Sequence, residues 1–360
     1  MSKYHSFNKA RRRSFAPQPT FANPTSPSYN GDLVTPFLTP ALKSGDTLAN
    51  GFVRTIDGIT NKAVIQTTSV ADDVLLAGGT GACEFDSGDS VTLSESVLTL
   101  SDVKVNEEMC RAVFLPSWVS QRGSRINSDA ASNEFRNFLL ATVSAKVAEA
   151  VENNIWKGST TTNLPVGFLS TDTVLDNAGW AASRIGSAGA ITQNIAELSA
   201  SNVITQIGLV YQKAAESKPA ILNKPDTRIF VSNKTAALYR QALATSGGAL
   251  TSDTSDVVTY GVGTGYNAQV TNQALTGLNF LGIQIAECSG MFDDCIVIAQ
   301  TENLVVGSNL MTDLTTVNYI PTYQYDGSDN VRIVMQFGLG MQVGIGSDIV
   351  VGAQSSVFTS

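Results

Sequence analysis

The stretch Asp129–Lys157, DAASNEFRNFLLATVSAKVAEAVENNIWK, decides how the rest of the chain is read. Phe135, Leu139, Val143, Val147, Val151 and Ile155 recur every four residues, and Phe138 and Ala150 widen the stripe. Ser128 or Asp129 can cap the start, Glu134 lies in the first turns, and Lys157-Gly158 supplies a cationic end and a stop. The spacing predicts one helix over Asp129–Lys157, about 40 Å long at ~1.5 Å per residue. That is long for a compact domain and suits a beam that crosses a subunit.

Before this helix, residues 49–108 alternate short β-type runs with turn signals. The runs are Phe52–Ile56, Ala63–Thr67, Asp73–Leu76 and Ser90–Val97; the turns are Asp57-Gly58, Gly78-Gly79 and Ser87-Gly88. The pattern predicts a long hairpin-like excursion, too polar to hide a core of its own and needing something to lie on. Earlier still, residues 14–45 hold Pro17, Pro19, Pro24, Pro27, Pro36 and Pro40, a composition of extended chain that does not fold alone.

After the helix the chain reads as α/β to residue 310. Ser201–Ala215 is a predicted helix with Val203, Ile204, Ile207, Val210, Tyr211 and Ala214 on one face, closed by Pro219. Arg228–Ser232 is a strand and Lys234–Ala244 a short helix. Thr245–Asn267 is rich in Gly and Ser and reads as a loop, and Phe280–Ala286 and Cys295–Ala299 are strands. Thr316–Tyr325 then turns at Asp326-Gly327 and returns through Val331–Phe337 to Val343 and Ile349–Val351. There is no internal repeat and no coiled coil.

Charge is sparse and uneven. Charged residues make up 15 % of the chain, against roughly 25 % for an ordinary soluble domain. Low charge fits a subunit covered by neighbours, since buried charge must be paired; a Ser/Thr-rich soluble protein is the other reading. Residues 1–31 carry Lys3, Lys9, Arg11, Arg12 and Arg13 and no acid. The whole chain stands at −8, so the rest stands at −13. A basic arm on an acidic body is a pattern of interaction tails toward nucleic acid or an acidic partner, or else a solvated terminus. The sequence predicts no signal peptide and no membrane span. Cys83, Cys110, Cys288 and Cys295 lie far apart, too sparse for a disulfide framework, and each reads as a buried thiol in a reducing compartment.

Catalytic chemistry finds little to stand on. His5 is the one histidine and lies in the arm, which leaves no Ser-His-Asp or Cys-His pair and no His-rich zinc site. Gly261-Val-Gly263-Thr-Gly265 lacks the spacing of a dinucleotide loop. Asp293-Asp294 and Asp326-Gly327-Ser328-Asp329-Asn330 could offer oxygen ligands to a cation but match no calcium loop, so tight turns are the simpler reading. Asn233-Lys234-Thr235 is a formal glycosylation sequence without a secretory context. The sequence therefore predicts no enzyme, no cofactor and no metal. Trp118 and Trp156 flank the long helix and are possible interface aromatics, with core packing the alternative.

The order of elements is a basic proline-rich arm, a β-excursion, a long helix, an α/β insertion and returning strands. It resembles the major capsid proteins of tailed double-stranded DNA bacteriophages, whose fold is shared with encapsulins. Glu152–Ser170, ENNIWKGSTTTNLPVGFLS, looks like that family's helix end and its Gly-then-Pro-x-Gly linker; Arg228–Leu243, RIFVSNKTAALYRQAL, looks like its strand-then-helix segment. Glu287–Asp313 resembles the exit from its axial domain, and Gly81–Trp118 resembles capsid proteins of Bacteroidetes-infecting and crAss-like phages.

The resemblance implies an α+β tailed-phage major capsid fold. Its parts would be an N-terminal arm (1–48), an extended β-loop (49–108), a peripheral domain with the spine helix (109–165), an α/β axial domain (166–310) and C-terminal strands of the peripheral domain (311–360). It implies a structural protein that self-assembles into hexamers and pentamers of an icosahedral head around double-stranded DNA, held without sequence specificity. The excursion would lie over one neighbour and the arm strap beneath another, with Lys3, Lys9 and Arg11–Arg13 facing the genome or an acidic scaffold. Expected partners are a separate scaffolding protein, a portal and decoration proteins, in a virion assembled in the host cytoplasm, with no membrane. An encapsulin-type nanocompartment, or another virion protein such as a tail-tube protein, is the alternative.

Overall fold

The computed structural model describes residues 45–70, 91–110, 129–158, 164–169, 177–246, 278–309, 318–322 and 330–354. The arm, Asp73–Leu76, Cys83, Trp118, most of Thr245–Asn267 and the Asp326-Gly327 turn lie outside the described residues. The elements run α1 (Asp46–Ala49), β1 (Arg54–Ile56), β2 (Lys62–Val70), β3 (Val91–Thr99), β4 (Ser101–Cys110), α2 (Asp129–Lys157), α3 (Asn177–Ala182), α4 (Arg184–Ser187) and β5 (Ile191–Asn194). They continue with α5 (Val203–Ser217), β6 (Thr227–Val231), α6 (Asn233–Ser246), β7 (Asn279–Phe280), β8 (Ile283–Glu287), β9 (Ile296–Gln300), β10 (Leu304–Ser308), β11 (Asn318–Pro321), β12 (Asn330–Val343) and β13 (Val350–Ala353).

The long helix α2 has the span its periodicity predicts. Its C-terminal end is secured by the chain that follows. Phe168 N–H donates to the Ile155 carbonyl, Leu169 N–H to Trp156 and Gly167 N–H to Gly158, at 2.9–3.1 Å. These bonds satisfy carbonyls that a helix end leaves without partners. The return needs a glycine: a Cβ at Gly158 would sit 2.1 Å from the Pro165 carbonyl oxygen.

A five-stranded sheet lies beneath the helix. Its path is β1-β10-β12-β11, with β4 along the other edge of β12 over ten residue pairs, from Asn330↔Cys110 to Leu339↔Ser101. A six-stranded mixed sheet has the order β5-β13-β9-β6-β8-β7. Helices α5 and α6 pack on it through Val203, Ile207, Val210, Ala214, Ala236 and Tyr239. The two sheets share a core with the end of α2, built from Ile155, Trp156, Phe168, Phe230, Phe337 and Val351 among others. β2 and β3 form a separate two-stranded ribbon.

Strand membership departs from the sequence reading in four places. β1 and β4, read as part of the excursion, belong to the five-stranded sheet, so the free ribbon starts and ends inside 62–99. β10, read with the α/β unit, also joins that sheet, while β13, read with the C-terminal strands, closes the six-stranded one beside β9 and β5. Phe280–Ala286 is not one strand: it turns at Leu281 (φ 47°) and Gly282 (φ 87°) and pairs back as β7 and β8. Alternation within a strand shows which face is buried and carries no information on which sheet receives it. Cys288 and Cys295 are buried as expected, but Cys110 is exposed at the end of β4.

Candidate functional site

The last turns of α2 form a polar knot inside the protein. Glu152 has no accessible surface, yet its carboxylate accepts from the Thr47 hydroxyl (2.6 Å), the Thr47 N–H (3.1 Å) and the Gly290 N–H (3.5 Å). Thr47 Oγ1 in turn accepts from the Trp156 indole N–H at 2.9 Å. One carboxylate thus joins α1, at the root of the arm, to the helix and to the turn after β8. Burial pushes the Glu152 carboxyl above its ordinary value, against the pull of the Thr47 and Gly290 hydrogen bonds, and Asp46 adds to the rise. The neighbouring Cys288 thiol and the Cys295 thiol are also pushed up by burial, the latter to about 12, so neither is a reactive thiolate.

A second charged cluster ties Asp348 to Lys218 and Lys224, the latter at 3.1 Å. Burial works against the Asp348 charge, but the hydrogen bonds and attraction of the two lysines prevail and hold its carboxyl below the usual value. Both clusters join elements of the fold that are distant in sequence. Asp293 and Asp294 do the same: the Asp293 carbonyl accepts from Thr235 Oγ1, and Asp294 Oδ1 accepts from the Leu198 N–H at 3.4 Å. Asn233 and Lys234 open α6, where Ser232 Oγ accepts the Thr235 N–H at 3.2 Å. Among the described residues no group of three His, Cys, Asp or Glu could hold a metal, and no helix is long and apolar enough to cross a membrane.

The candidate surface is apolar. On the ribbon, Val64 faces Val97 and Thr68 faces Leu93, and Val91 lies on the same side. Val64, Val91, Leu93 and Val97 are 44–63 % exposed. The opposite side is the one that packs at home: Ala63, Ile65 and the fully buried Leu98 gather around Ile59 and Val305. A groove of about 460 Å³ also runs between α2 and the sheet, lined by Val103, Val105, Met109, Val143, Phe337 and Leu339. On the far side of α2 a second groove, about 350 Å³, is lined by Gly45, Leu48, Ala148, Glu152 and Met335; Val147 and Val151 border both.

Of the residues singled out in the sequence, Lys3, Lys9, Arg11, Arg12, Arg13 and Trp118 lie outside the described residues. Trp156 is fully buried, stacked edge-on against Phe168 with centroids 5.6 Å apart. It is a core residue with no surface left for a partner, which corrects the interface reading. Glu152 and the ribbon valines were not singled out. A lone Glu in a helix carries no sequence mark of burial, and β-branched residues on both faces of a strand give no sign of which face stays open.

No protein-family model matches the chain, and no curated protein sequence does. Solved structures do. The chain resembles a protein of the capsid of a native GTA particle (TM-score 0.52, 14 % identity, 91 % of this chain and 97 % of that one). It also resembles a protein of the capsid of Myoviridae phage XM1 (TM-score 0.52, 10 % identity, 89 % and 95 %). A chain from Mycobacterium phage Ogopogo gives TM-score 0.53 at 12 % identity over 90 % and 96 %. Likeness at such low identity speaks for the fold: the protein has the mixed helix-and-sheet fold of phage capsid proteins.

Proposed function

We propose that the protein is the shell-forming subunit of a tailed-phage head, assembling with copies of itself into hexamers and pentamers around double-stranded DNA. The observation that carries this reading is the ribbon, which holds Val64, Val91, Leu93 and Val97 in water on the face turned away from its own subunit. A monomer gains nothing from that face. Covered by a neighbour, it contributes ~25 cal/mol per Å² of apolar area removed from water, repeated at every contact of a closed shell. In this reading α2 and the five-stranded sheet are the peripheral part, the six-stranded sheet with α5 and α6 the axial part, and 62–99 the excursion over an adjacent subunit.

The basic residues Lys3, Lys9 and Arg11–Arg13 would face inward, toward the genome or an acidic scaffold, in a salt-dependent contact blind to sequence. A scaffolding protein, a portal and decoration proteins are the expected partners, the virion the location and the host cytoplasm the place of assembly. The likeness of Gly81–Trp118 points to phages of the Bacteroidetes-infecting and crAss-like kind. Negative-stain electron microscopy of the chain expressed alone and with its genomic neighbours tests the reading. Closed shells, or regular hexamers and pentamers, are expected; a monomer under every condition would overturn assembly as the function. An enzyme cargo in place of DNA would mark an encapsulin-type compartment instead.

A further inference from the structure

We infer that α1 is a latch: it swings on Gly51, is held shut by the hydrogen bonds between Thr47 and Glu152, and opens when Glu152 ionises. Thr47 is the one buried residue of α1; Asp46 and Leu48 are half-buried and Ala49 is exposed. Gly45, at the cap position, has no side chain to offer, and Glu152 Oε2 accepts the Thr47 N–H in its place. After the helix, Asn50 and Gly51 are exposed, and Gly51 sits in the left-handed region at φ 64°. Beyond it the chain is fixed. Val53 lies in the core, and Phe52 packs edge-on against Phe230 with centroids 6.4 Å apart. Across the glycine, the Phe52 N–H donates to the Thr47 carbonyl at 3.0 Å, so this bond too is released with Thr47. A four-residue helix with one buried side chain, next to an unhindered glycine, is the kind of unit that opens without the rest of the fold.

Charge decides whether it stays shut. Glu152 has no accessible surface, and one of its three donors, the Gly290 N–H, is distant at 3.5 Å. The charged group that acts on it is Asp46 of α1, which has the same sign. The turn after β8 brings the Cys288 thiol, kept neutral by burial, and α2 and β12 bring Ser144, Val151 and Met335, which do not titrate. Among the described residues no lysine or arginine pairs with it. Opening would carry Asp46 away and admit water through the groove that Gly45 and Leu48 help to wall. The docked carboxyl lies above its ordinary 4.5, because burial outweighs the hydrogen bonds; the opened one returns to that value. By linkage, the open fraction is constant below 4.5, rises about tenfold per pH unit above it, and levels off past the raised value. The inference does not depend on the shell reading, because every part of the latch belongs to one subunit.

The test is hydrogen exchange, read by mass spectrometry on the full-length chain from about pH 4 to about pH 8, with each rate divided by the intrinsic rate at that pH. Residues 46–50 should open ahead of β6 and β9, with an opening constant that climbs about tenfold per pH unit above 4.5. Glu152→Gln should abolish that slope and hold the opening at its acid-side level. Thr47→Val keeps the shape and the N–H but loses the hydroxyl, and should raise opening at every pH; it serves if the glutamine variant does not fold. Residues 46–50 that exchange only together with β6 and β9 would overturn the inference. So would a parent whose opening is flat in pH, an unchanged slope in Glu152→Gln, or a Thr47→Val chain that opens no more than the parent.

Discussion

Two buried carboxylates give the protein opposite responses to acid. Glu152 binds its proton more tightly in the fold than in the unfolded chain. Its contribution is therefore fully present below its ordinary value of 4.5 and is lost as pH rises through its raised folded value. Glu152→Gln removes the titration while keeping an oxygen for the Thr47 N–H and an amide for the Thr47 hydroxyl. The variant should melt at higher temperature than the parent at neutral pH, with the gap closing below about pH 4. Equal melting curves at every pH would mean that Glu152 is solvated. Asp348 is the reverse case: its contribution is present above 3.8 and lost as pH falls through its lowered folded value. Asp348→Asn should cost up to about 1 kcal/mol at neutral pH, since Lys218 and Lys224 are themselves partly exposed, and nothing in strong acid. At the β7–β8 turn, Leu281 occupies a left-handed position with half its surface in water. Leu281→Asn relieves that strain and should raise stability by about 1 kcal/mol, read by chemical denaturation.

At the scale of elements, the end of α2 is held by close backbone approach more than by side chains. Gly158→Ala forces the returning chain off the helix end, because the Pro165 carbonyl lies where the methyl would go. A loss of about 1–3 kcal/mol, with the loop 164–169 exchanging its amide hydrogens faster, is the expected outcome. The same end shows what the sequence could disclose. The four-residue recurrence from Phe135 to Ile155 specified α2 to both ends, because periodicity is a property of one element. Lys157-Gly158 and Gly167 were visible as punctuation, though not as the two sides of one contact. Strand β13 was recognisable as a strand, but its place between β5 and β9 depends on residues 50 to 160 positions away, which no local pattern encodes. The recurrence did not disclose that Val143, Val147 and Val151 border open grooves. The site was less legible than the fold for the same reason: exposure of Val64 or burial of Glu152 is decided by what tertiary structure lays beside them.

Across the whole molecule, the shell reading assigns folding and assembly to different faces of the same ribbon, and that separation can be measured. The inward side, with Ala63, Ile65 and Leu98, is consumed by the subunit's own small core around Ile59 and Val305. The outward side, with Val64, Val91, Leu93 and Val97, contributes nothing to an isolated subunit because water already covers it. Surface substitutions of this kind shift stability by no more than about 0.5 kcal/mol. A double substitution Leu93→Asp and Val97→Asp should therefore leave the melting temperature and circular dichroism of the subunit unaltered. In a shell the same change buries two unpaired carboxylates in every contact, and their desolvation recurs with each copy. Sedimentation and electron microscopy should then show folded subunits that form no shells. The control is Leu98→Asp on the inward side, which should unfold the ribbon root and lower the melting temperature. If the outward pair assembled as well as the parent, the open face of the ribbon would not be an interface and the shell reading would lose the observation that carries it. If both variants lost stability equally, folding and assembly would share one surface, and the ribbon would be part of the monomer's core.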